Sequence, residues 1–166
     1  MNRPIPEDLR TLLAGIEKSV RAQLAEGKEL PPAWFLLSRD LSAIMPVVVP
    51  FTSVESKDVA ADFIRRLAKK SGADAVVFIV EAWGRKRKAT EEEIKGFHDD
   101  GYAVRNDPER YDCISFLVET YEGSWMAMPA VTVGCKPRVL EPLEFMNWDL
   151  AEGRMTNFLP PRGSVH

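Results

Sequence analysis

The length, composition and charge of the chain limit what it can be. Its 166 residues are close to the usual size of one domain. A content of 45% apolar and 28% charged residues is typical of a folded globular protein rather than a disordered one. A formal net charge of −3 argues against a dedicated nucleic-acid binder, whose domain is normally strongly basic. Two cysteines are too few for a disulfide framework or a four-cysteine zinc site.

No segment has the character of a membrane span or of a secretory signal. The longest mainly apolar run, residues 43–51, is interrupted by prolines and is far shorter than the roughly 20 residues that cross a bilayer. Glu7 and Asp8 interrupt the first residues before an apolar signal core can form. We therefore expect a cytoplasmic protein with reduced thiols and without membrane contact.

The first 50 residues predict a helix followed by a hairpin. Apolar residues recur every three or four positions over residues 7–26, which predicts an amphipathic helix that ends at Gly27. Residues 34–38 and 43–49 predict two paired strands. Pro46 lacks an amide donor, so the second of these strands should lie at an edge of the sheet.

A second amphipathic helix follows the hairpin. Thr52 and Glu55 have the spacing of a capping box, with Ser56 as a rival cap, and Gly72 provides a stop. The predicted buried stripe consists of Val59, Ala60, Phe63, Ile64, Leu67 and Ala68. Because the opposite face is charged, this helix should pack on the sheet by one side only.

The second half of the chain predicts strands almost throughout. Residues 75–80 are apolar at every position, which predicts a central strand covered on both faces. Residues 111–120 and 125–133 predict a hairpin, and residues 139–145 predict one more strand. The intervening stretch is poor in apolar residues and predicts only a short helix over residues 90–98.

The resulting order of elements is α-β-β-α-β-(α)-β-β-β, where the bracket marks the short helix. Hairpins dominate and helices are too few for βαβ alternation. We therefore expect an α+β fold, a single antiparallel sheet of about five or six strands with two main helices packed on it. In topology alone this order is similar to profilin-like and roadblock-like arrangements. The expected organisation is a single domain over residues 1–146 with a C-terminal docking tail over residues 147–166.

Two isolated carboxylates and one histidine are the candidates for catalysis. Glu81 follows six apolar residues, so burial could raise its pKa and make it a general acid or base. The competing interpretation is an ion pair at the strand end, with Trp83 covering a core edge. An enzyme would be a hydrolase that uses Glu81, Glu119 and His98 with the loop 98–109. We expect no cofactor and no metal, since phosphate-loop, nucleophile-elbow and metal-ligand spacings are absent from the sequence.

The only dense basic run is Arg85-Lys86-Arg87-Lys88. It could contact phosphates, with Trp83 or Phe97 as a stacking surface, and would then bind nucleic acid weakly. Three glutamates at residues 91–93 largely cancel its field. That pattern favours a solvated loop with local ion pairs.

The last third of the chain is rich in large, adaptable apolar side chains, which are common at binding surfaces. The candidates for a binding surface are Trp125, Met126, Met128, Trp148 and Phe158. Each of them is also an ordinary core residue, and that interpretation competes with the first. The tail is too apolar to remain solvated, so we expect it to dock on this domain or on a second copy.

Three stretches of the sequence resemble a group of small uncharacterised bacterial and phage proteins. They are Pro-Pro-Ala-Trp-Phe at residues 31–35, Ala-Asp-Ala-Val-Val-Phe-Ile-Val-Glu-Ala-Trp at residues 73–83, and Asn-Asp-Pro-Glu-Arg-Tyr at residues 106–111. The resemblance covers about the first two-thirds of the chain and implies a single α+β domain. Because the group has no assigned activity, the resemblance implies no site.

These features together favour a non-enzymatic binding or regulatory domain that forms a homodimer or binds a protein partner. The contact surface would be the proline-marked edge strand, whose backbone can accept another strand, or the apolar last third. The alternatives are the hydrolase with its carboxylate site and the weak nucleic-acid binder. The hydrolase requires that Glu81 lie in a concave pocket. The nucleic-acid binder requires that residues 85–88 contact phosphates.

Overall fold

The computed structural model describes residues 3–85, 92, 108–132, 134, 137–148 and 155–161. In this part of the chain, one sheet of six antiparallel strands lies between two helices. The elements are α1 Glu7–Ala25, β1 Ala33–Leu37, β2 Ile44–Val48, α2 Val54–Ser71, β3 Ala75–Arg85, β4 Arg110–Thr120, β5 Gly123–Ala127 and β6 Met146–Asn147. The α+β fold expected from the sequence is confirmed. The expected short helix lies outside the described residues, apart from Glu92.

The two longest strands form the middle of the sheet. The strand order is β2-β1-β3-β4-β5-β6. β3 and β4 have eleven residues each and pair along their whole length, from Ala75 opposite Thr120 to Arg85 opposite Arg110. The central strand is therefore five residues longer than its apolar run predicts, because β4 supplies a partner for every residue.

Alternation of side chains along β3 divides the core into two layers. Ala75, Val77 and Ile79 belong to the layer beneath α1, whereas Val76 and Phe78 belong to the layer beneath α2. Both faces of β3 are thus covered, as its apolar run predicts. We refer to these two sides of the sheet as the α1 face and the α2 face.

α1 packs as its sequence pattern predicts. Its buried residues are Leu9, Leu13, Val20 and Leu24. Pro6 precedes the first helical residue, and Gly27 follows the C-cap with a φ of 72°. This left-handed conformation suits glycine, which has no Cβ to clash with the backbone, and it ends the helix.

α2 begins one residue later than the predicted capping box. Ser53 is the N-cap, and the Ser56 amide donates to its Oγ at 3.1 Å. In return the Ser53 amide donates to Ser56 Oγ at 2.9 Å. The expected box of Thr52 and Glu55 is therefore wrong, because two serine hydroxyls satisfy the free amides at this helix end.

The predicted buried stripe of α2 is wrong at two positions. The fully buried residues are Ala60, Ala61, Ile64 and Ala68. Val59 and Phe63 are instead 68% and 47% exposed. The small alanines face the sheet, and the two larger residues lie along the flank of the helix.

The strand predictions for the last third are partly wrong. β5 ends at Ala127, two residues before Pro129, rather than continuing to residue 133. The expected strand over residues 139–145 contributes only one bridging residue, Leu140. Prolines in both segments lack the amide that a ladder requires, so regular pairing stops there. The short β6, which the sequence analysis did not predict, pairs with β5 after the second segment.

A tight cross-strand contact gives a test of the central ladder. Gly84 lies opposite Tyr111, and a Cβ at Gly84 would lie 2.5 Å from Tyr111 Cζ. Gly84→Ala is expected to lower the free energy of unfolding by about 1–3 kcal/mol, because the ring or the strand must move. Urea denaturation measures this change.

Gly15→Ala serves as the matched control for that substitution. Gly15 lies inside α1, and a Cβ there would have no atom within 4 Å. Removal of a helix-interior glycine is expected to raise the free energy of unfolding by about 1 kcal/mol. If both alanine variants were stabilised alike, the steric account of Gly84 would be wrong.

Candidate interaction surfaces

Glu81 lies within β3 rather than at its end, and its carboxylate is engaged in an ion pair. Both oxygens accept hydrogen bonds from Arg138, each at 3.1 Å. Oε1 also accepts the amide of Leu30 at 3.1 Å. The side chain is exposed and joins three distant parts of the sequence. These contacts match the structural interpretation of Glu81 and leave no free oxygen aimed at a pocket.

The other catalytic candidates do not converge on Glu81. Glu81 lies opposite Ile114 on the α1 face, whereas Glu119 lies opposite Val76 on the α2 face. Two carboxylates on opposite faces of a sheet cannot act on one substrate. His98 and most of the loop 98–109 lie outside the described residues.

Two kinds of feature are absent from the described residues. No group of three or more His, Cys, Asp or Glu side chains in this part of the chain is placed to hold a metal ion. Neither α1 nor α2 is long and apolar enough to cross a membrane. The described candidate surfaces are therefore the tail, the strand ends and the edges of the sheet.

Glu119 anchors the C-terminal tail. Its two oxygens accept the backbone N–H groups of Phe158 and Leu159, both at 3.0 Å. From α2, Arg65 donates to the carbonyl oxygens of the two preceding residues, at 3.0 and 3.3 Å. Two oppositely charged side chains thus hold one backbone group from each of four consecutive tail residues, 156–159.

Phe158 is the aromatic anchor of the same segment. Its ring is only 1% exposed and makes edge contacts with Trp34 and Phe78, at centroid distances of 6.2 and 5.9 Å. Trp34 in turn stacks on Phe78 at 4.4 Å. The Arg65 guanidinium lies 5.8 Å from the centre of the Phe158 ring. The described part of the tail therefore completes the α2-side core of its own chain.

Phe158→Ala tests how much this anchor stabilises the domain. The substitution is expected to lower the free energy of unfolding by about 3–5 kcal/mol, because it empties a pocket among aromatic rings. Val139→Ala is the control, because Val139 is 54% exposed and its truncation should change stability by less than about 0.5 kcal/mol. Equal urea midpoints for the two variants would show that the tail is not part of the core.

The structure separates the five binding candidates of the last third. Trp125 and Phe158 are core residues on opposite faces of the sheet. The indole N–H of Trp125 is satisfied by the Arg3 carbonyl oxygen at 2.6 Å. Met126 and Met128 are half-buried, and Trp148 is partly exposed. A single surface therefore does not contain all five.

Trp83 lies near the end of β3 and is already in contact on its edge and its face. Its indole N–H donates to Asp112 Oδ1 at 3.0 Å, and the Arg110 guanidinium lies 5.0 Å from its ring centre. Arg85 ends the same strand. The other basic residues predicted to contact nucleic acid, at positions 86–88, lie outside the described residues.

The buried thiol of Cys113 is not suited to nucleophilic chemistry. Burial, and to a lesser extent the neighbouring Asp112, raise the pKa of Cys113 to about 11. The thiol lies 3.5 Å from the Ala82 carbonyl oxygen, to which it donates. At neutral pH it therefore stays protonated, whereas the thiolate is the reactive form.

An exposed apolar surface lies along strand β2. All five residues of β2 are apolar, and four of them are exposed: Ile44, Met45, Pro46 and Val48. The most exposed of the large residues among them is Val48, at 56%. Pro46 was expected at an edge of the sheet, and β2 is the edge strand. The sequence pattern did not reveal that four of the five side chains of β2 are exposed.

The width of the sheet explains why β2 stays uncovered on the α1 face. A helix is about 10 Å across and covers roughly two strands, whereas six strands extend over about 24 Å. The layer beneath α1 is built mainly from β3, β4 and β5. β2 pairs with β1 and therefore lies outside the strands that α1 covers. Its residues on the α1 face are Ile44, Pro46 and Val48.

Exposed apolar side chains also occur on α2, at Val59 and Phe63. Arg65 lies on the side of α2 that faces the tail. Phe63 precedes it by two positions, which is about 200° around the helix, so Phe63 lies on the side of α2 away from the tail. Val59 lies one turn before Phe63 on that flank. Met45 is paired with Leu36 of the α2-side core, so its exposed side chain is on the same face of the sheet as α2. We define the edge surface as the six residues Ile44, Met45, Pro46, Val48, Val59 and Phe63.

A cleft of about 630 Å³ lies at one end of the sheet. It is lined by the first turn of α1, the β1–β2 turn, the α2–β3 connection and the tail residue Pro160. Its charged residues are Asp8, Arg39, Asp74 and Glu122. Their mixed signs do not select one class of ligand, so the cleft supports no specific chemistry.

Asp40 fixes the β1–β2 turn beside this cleft. Its Oδ1 accepts the Ser42 hydroxyl at 2.7 Å, the Ser42 amide at 3.1 Å and the Ser38 hydroxyl at 2.9 Å. These hydrogen bonds, chiefly those from Ser42, lower the pKa of Asp40 from 3.8 to about 2. Leu41 has a φ of 58°, which is unusual for a branched residue and requires such a fixed turn.

The lowered pKa of Asp40 predicts a pH-dependent contribution to stability. A depressed folded-state pKa stabilises the native state above the ordinary value of 3.8, and this contribution is lost as pH falls through about 2. Asp40→Asn keeps an acceptor oxygen but cannot titrate. The wild-type advantage in urea midpoint should therefore shrink between about pH 5 and about pH 2. A difference that is constant with pH would contradict this assignment.

Comparisons with known proteins do not assign the chain to a family. No family model matches it, and neither a curated protein nor a solved structure matches it. Membership in the group that three stretches of the sequence resemble stays a prediction. The function is therefore argued from the surfaces described above.

Proposed function

We propose that the chain is a non-enzymatic binding domain that associates through its edge surface, and that its partner is a second copy. The observation that carries this proposal is β2, a strand of five apolar residues of which four are exposed. Contiguous apolar patches on a monomer commonly mark contact sites. Contact with another protein would remove this patch from water.

The backbone of β2 gives one reason why the partner contacts side chains. The Ser38 amide donates to the Ala43 carbonyl oxygen at 3.0 Å, and the Val49 amide donates to the Pro32 carbonyl oxygen at 3.4 Å. Residues 43 and 49 therefore direct their backbone groups towards β1, as does every second residue between them. The residues in the alternate positions direct theirs outward.

The outward positions of β2 are Ile44, Pro46 and Val48. Pro46 has no N–H, so the free edge carries only two donors, about 14 Å apart, with none between them. A strand added along this edge would lose a hydrogen bond at its centre. The contacts that β2 can offer a partner are therefore made mainly by its side chains, which favours packing of apolar faces over extension of the sheet.

The absence of charge along β2 suits contact between identical copies. All five residues of β2 are apolar, whereas the exposed charged residues Asp62 and Arg66 lie beside Val59 and Phe63 on α2 and belong to the rim. In a two-fold dimer the same residues meet near the symmetry axis, where like charges would repel. An interface of standard size buries about 800 Å² on each partner, with an apolar centre and a polar rim. The edge surface would provide that centre.

The proposed location is the cytoplasm. Cys113 is a free thiol in the structure and is buried. Free thiols persist in reducing compartments, whereas oxidising compartments favour disulfides. This location is consistent with a domain whose partner is another copy made in the same compartment.

Single lysine substitutions test the edge surface. Val48→Lys and Phe63→Lys are expected to weaken self-association by at least about 2 kcal/mol, because each places a charge in the apolar centre. Val139→Lys is the matched control, since Val139 is 54% exposed but lies outside the edge surface. Sedimentation equilibrium of the full chain measures the three dissociation constants.

The proposal requires a difference between the edge variants and the control. A wild-type chain that stays monomeric up to about 1 mM would contradict homodimer formation. Equal dissociation constants for Val48→Lys, Phe63→Lys and Val139→Lys would show that association uses another surface. Circular dichroism of each variant confirms that a loss of association is not a loss of folding.

A further inference from the structure

The tail is bound as a peptide ligand is bound. We define the tail groove as Trp34, Arg65, Phe78 and Glu119, and the tail segment as residues 155–161. None of residues 155–161 belongs to a helix or strand. The segment is held by side chains of the groove, so it can leave without breaking a ladder of the sheet.

The groove recognises the backbone of the segment rather than most of its side chains. Glu119 accepts two consecutive amides at 3.0 Å, and Arg65 donates to the two carbonyl groups that precede them. Backbone contacts of this kind supply affinity for any extended segment with free amides at those positions. They do not require that the segment belong to the same chain.

One pocket of the groove adds selectivity. Phe158 packs edge-on against the stacked rings of Trp34 and Phe78 and is almost completely buried. A smaller side chain at this position would leave a void, and a charged one would be desolvated. The groove therefore selects a segment with an aromatic residue followed by an apolar residue with a free amide, as in Phe158-Leu159.

One polar group of the groove stays unmatched. Trp34 is completely buried, and its Nε1 has no hydrogen-bond partner among the residues that the structure describes. Buried donors are normally satisfied, so a fixed core contact would be expected to provide an acceptor. The unmatched donor is consistent with a groove whose occupant can be exchanged.

We propose that the tail groove is a peptide-binding site that accepts the tail segment of a second copy as well as its own. Six residues of sequence separate Trp148 from Met155. A segment tethered by so short a connection competes at an effective concentration on the order of mM. The chain's own segment therefore occupies the groove in dilute solution, and exchange links two copies when that contact is prevented. This inference uses a different surface from the edge surface and does not rest on it.

Two complementary full-length variants test the exchange. Both carry Val48→Lys, which removes association through the edge surface. The acceptor variant adds Phe158→Ala and so has an empty aromatic pocket. The donor variant adds Arg65→Ala and Glu119→Gln, which release its own segment but keep Phe158. Each alone should be monomeric, and an equimolar mixture at about 100 µM should give a one-to-one dimer in sedimentation velocity.

The control mixture contains a donor that also carries Phe158→Ala, and it should stay monomeric. Folded variants that do not associate when mixed would overturn the proposal, as would a dimer that forms equally with the control donor. If Phe158→Ala does not fold, Phe158→Leu replaces it, and a fluorescent peptide of residues 155–161 is titrated into it. No binding of this peptide up to about 1 mM, or equal binding of its Phe→Ala form, would also overturn the proposal.

The two proposals fail in different experiments. Complementation between variants that carry Val48→Lys reports only on the tail groove. Loss of self-association in Val48→Lys alone reports only on the edge surface. Either result therefore stands whatever the other shows.

Discussion

The rest of the structure depends on the antiparallel ladder of β3 and β4. Eleven consecutive residue pairs place an apolar run in the middle of the sheet with both of its faces covered. The same ladder sets where the polar anchors lie. Glu81 lies on the α1 face, where it binds Arg138, and Glu119 lies on the α2 face, where it binds the tail. A shift of one residue in this register would turn the side chains of one strand to the opposite face and so separate its carboxylate from its partners.

The distribution of covered and uncovered surface follows from a mismatch between the sheet and its helices. Two helices cannot cover both faces of six strands, so other segments complete the layers. On the α1 face Val131 and Leu140 extend the core beyond the helix, and on the α2 face Phe158 and Leu159 do the same. No described segment does so at β2. The edge surface therefore stays exposed, because the tail and the segment with Val131 and Leu140 cover other strands.

Much of the fold could be predicted from the sequence, because local patterns determine it. The apolar run 75–80 and the proline in β2 were sufficient to place the centre and one edge of the sheet. The sequence did not reveal that Val59 and Phe63 are exposed, because a helical stripe contains no information about how far the neighbouring sheet extends. The roles of Glu81 and Glu119 were also hidden, since Arg138, Leu30 and the tail amides lie at least 39 residues away in the chain. A carboxylate that binds backbone amides has no sequence motif of its own.

Pro46 has a consequence for how the protein behaves when it is abundant. A long apolar strand at the edge of a sheet normally invites open-ended stacking of copies, which leads to fibres and aggregates. The missing amide at the centre of β2 interrupts the repeat of hydrogen bonds that such stacking needs. The apolar side chains can therefore stay exposed, as the proposed function requires, while the backbone resists polymerisation. Pro46 therefore limits growth of the sheet through backbone hydrogen bonds and leaves the apolar side chains of β2 exposed.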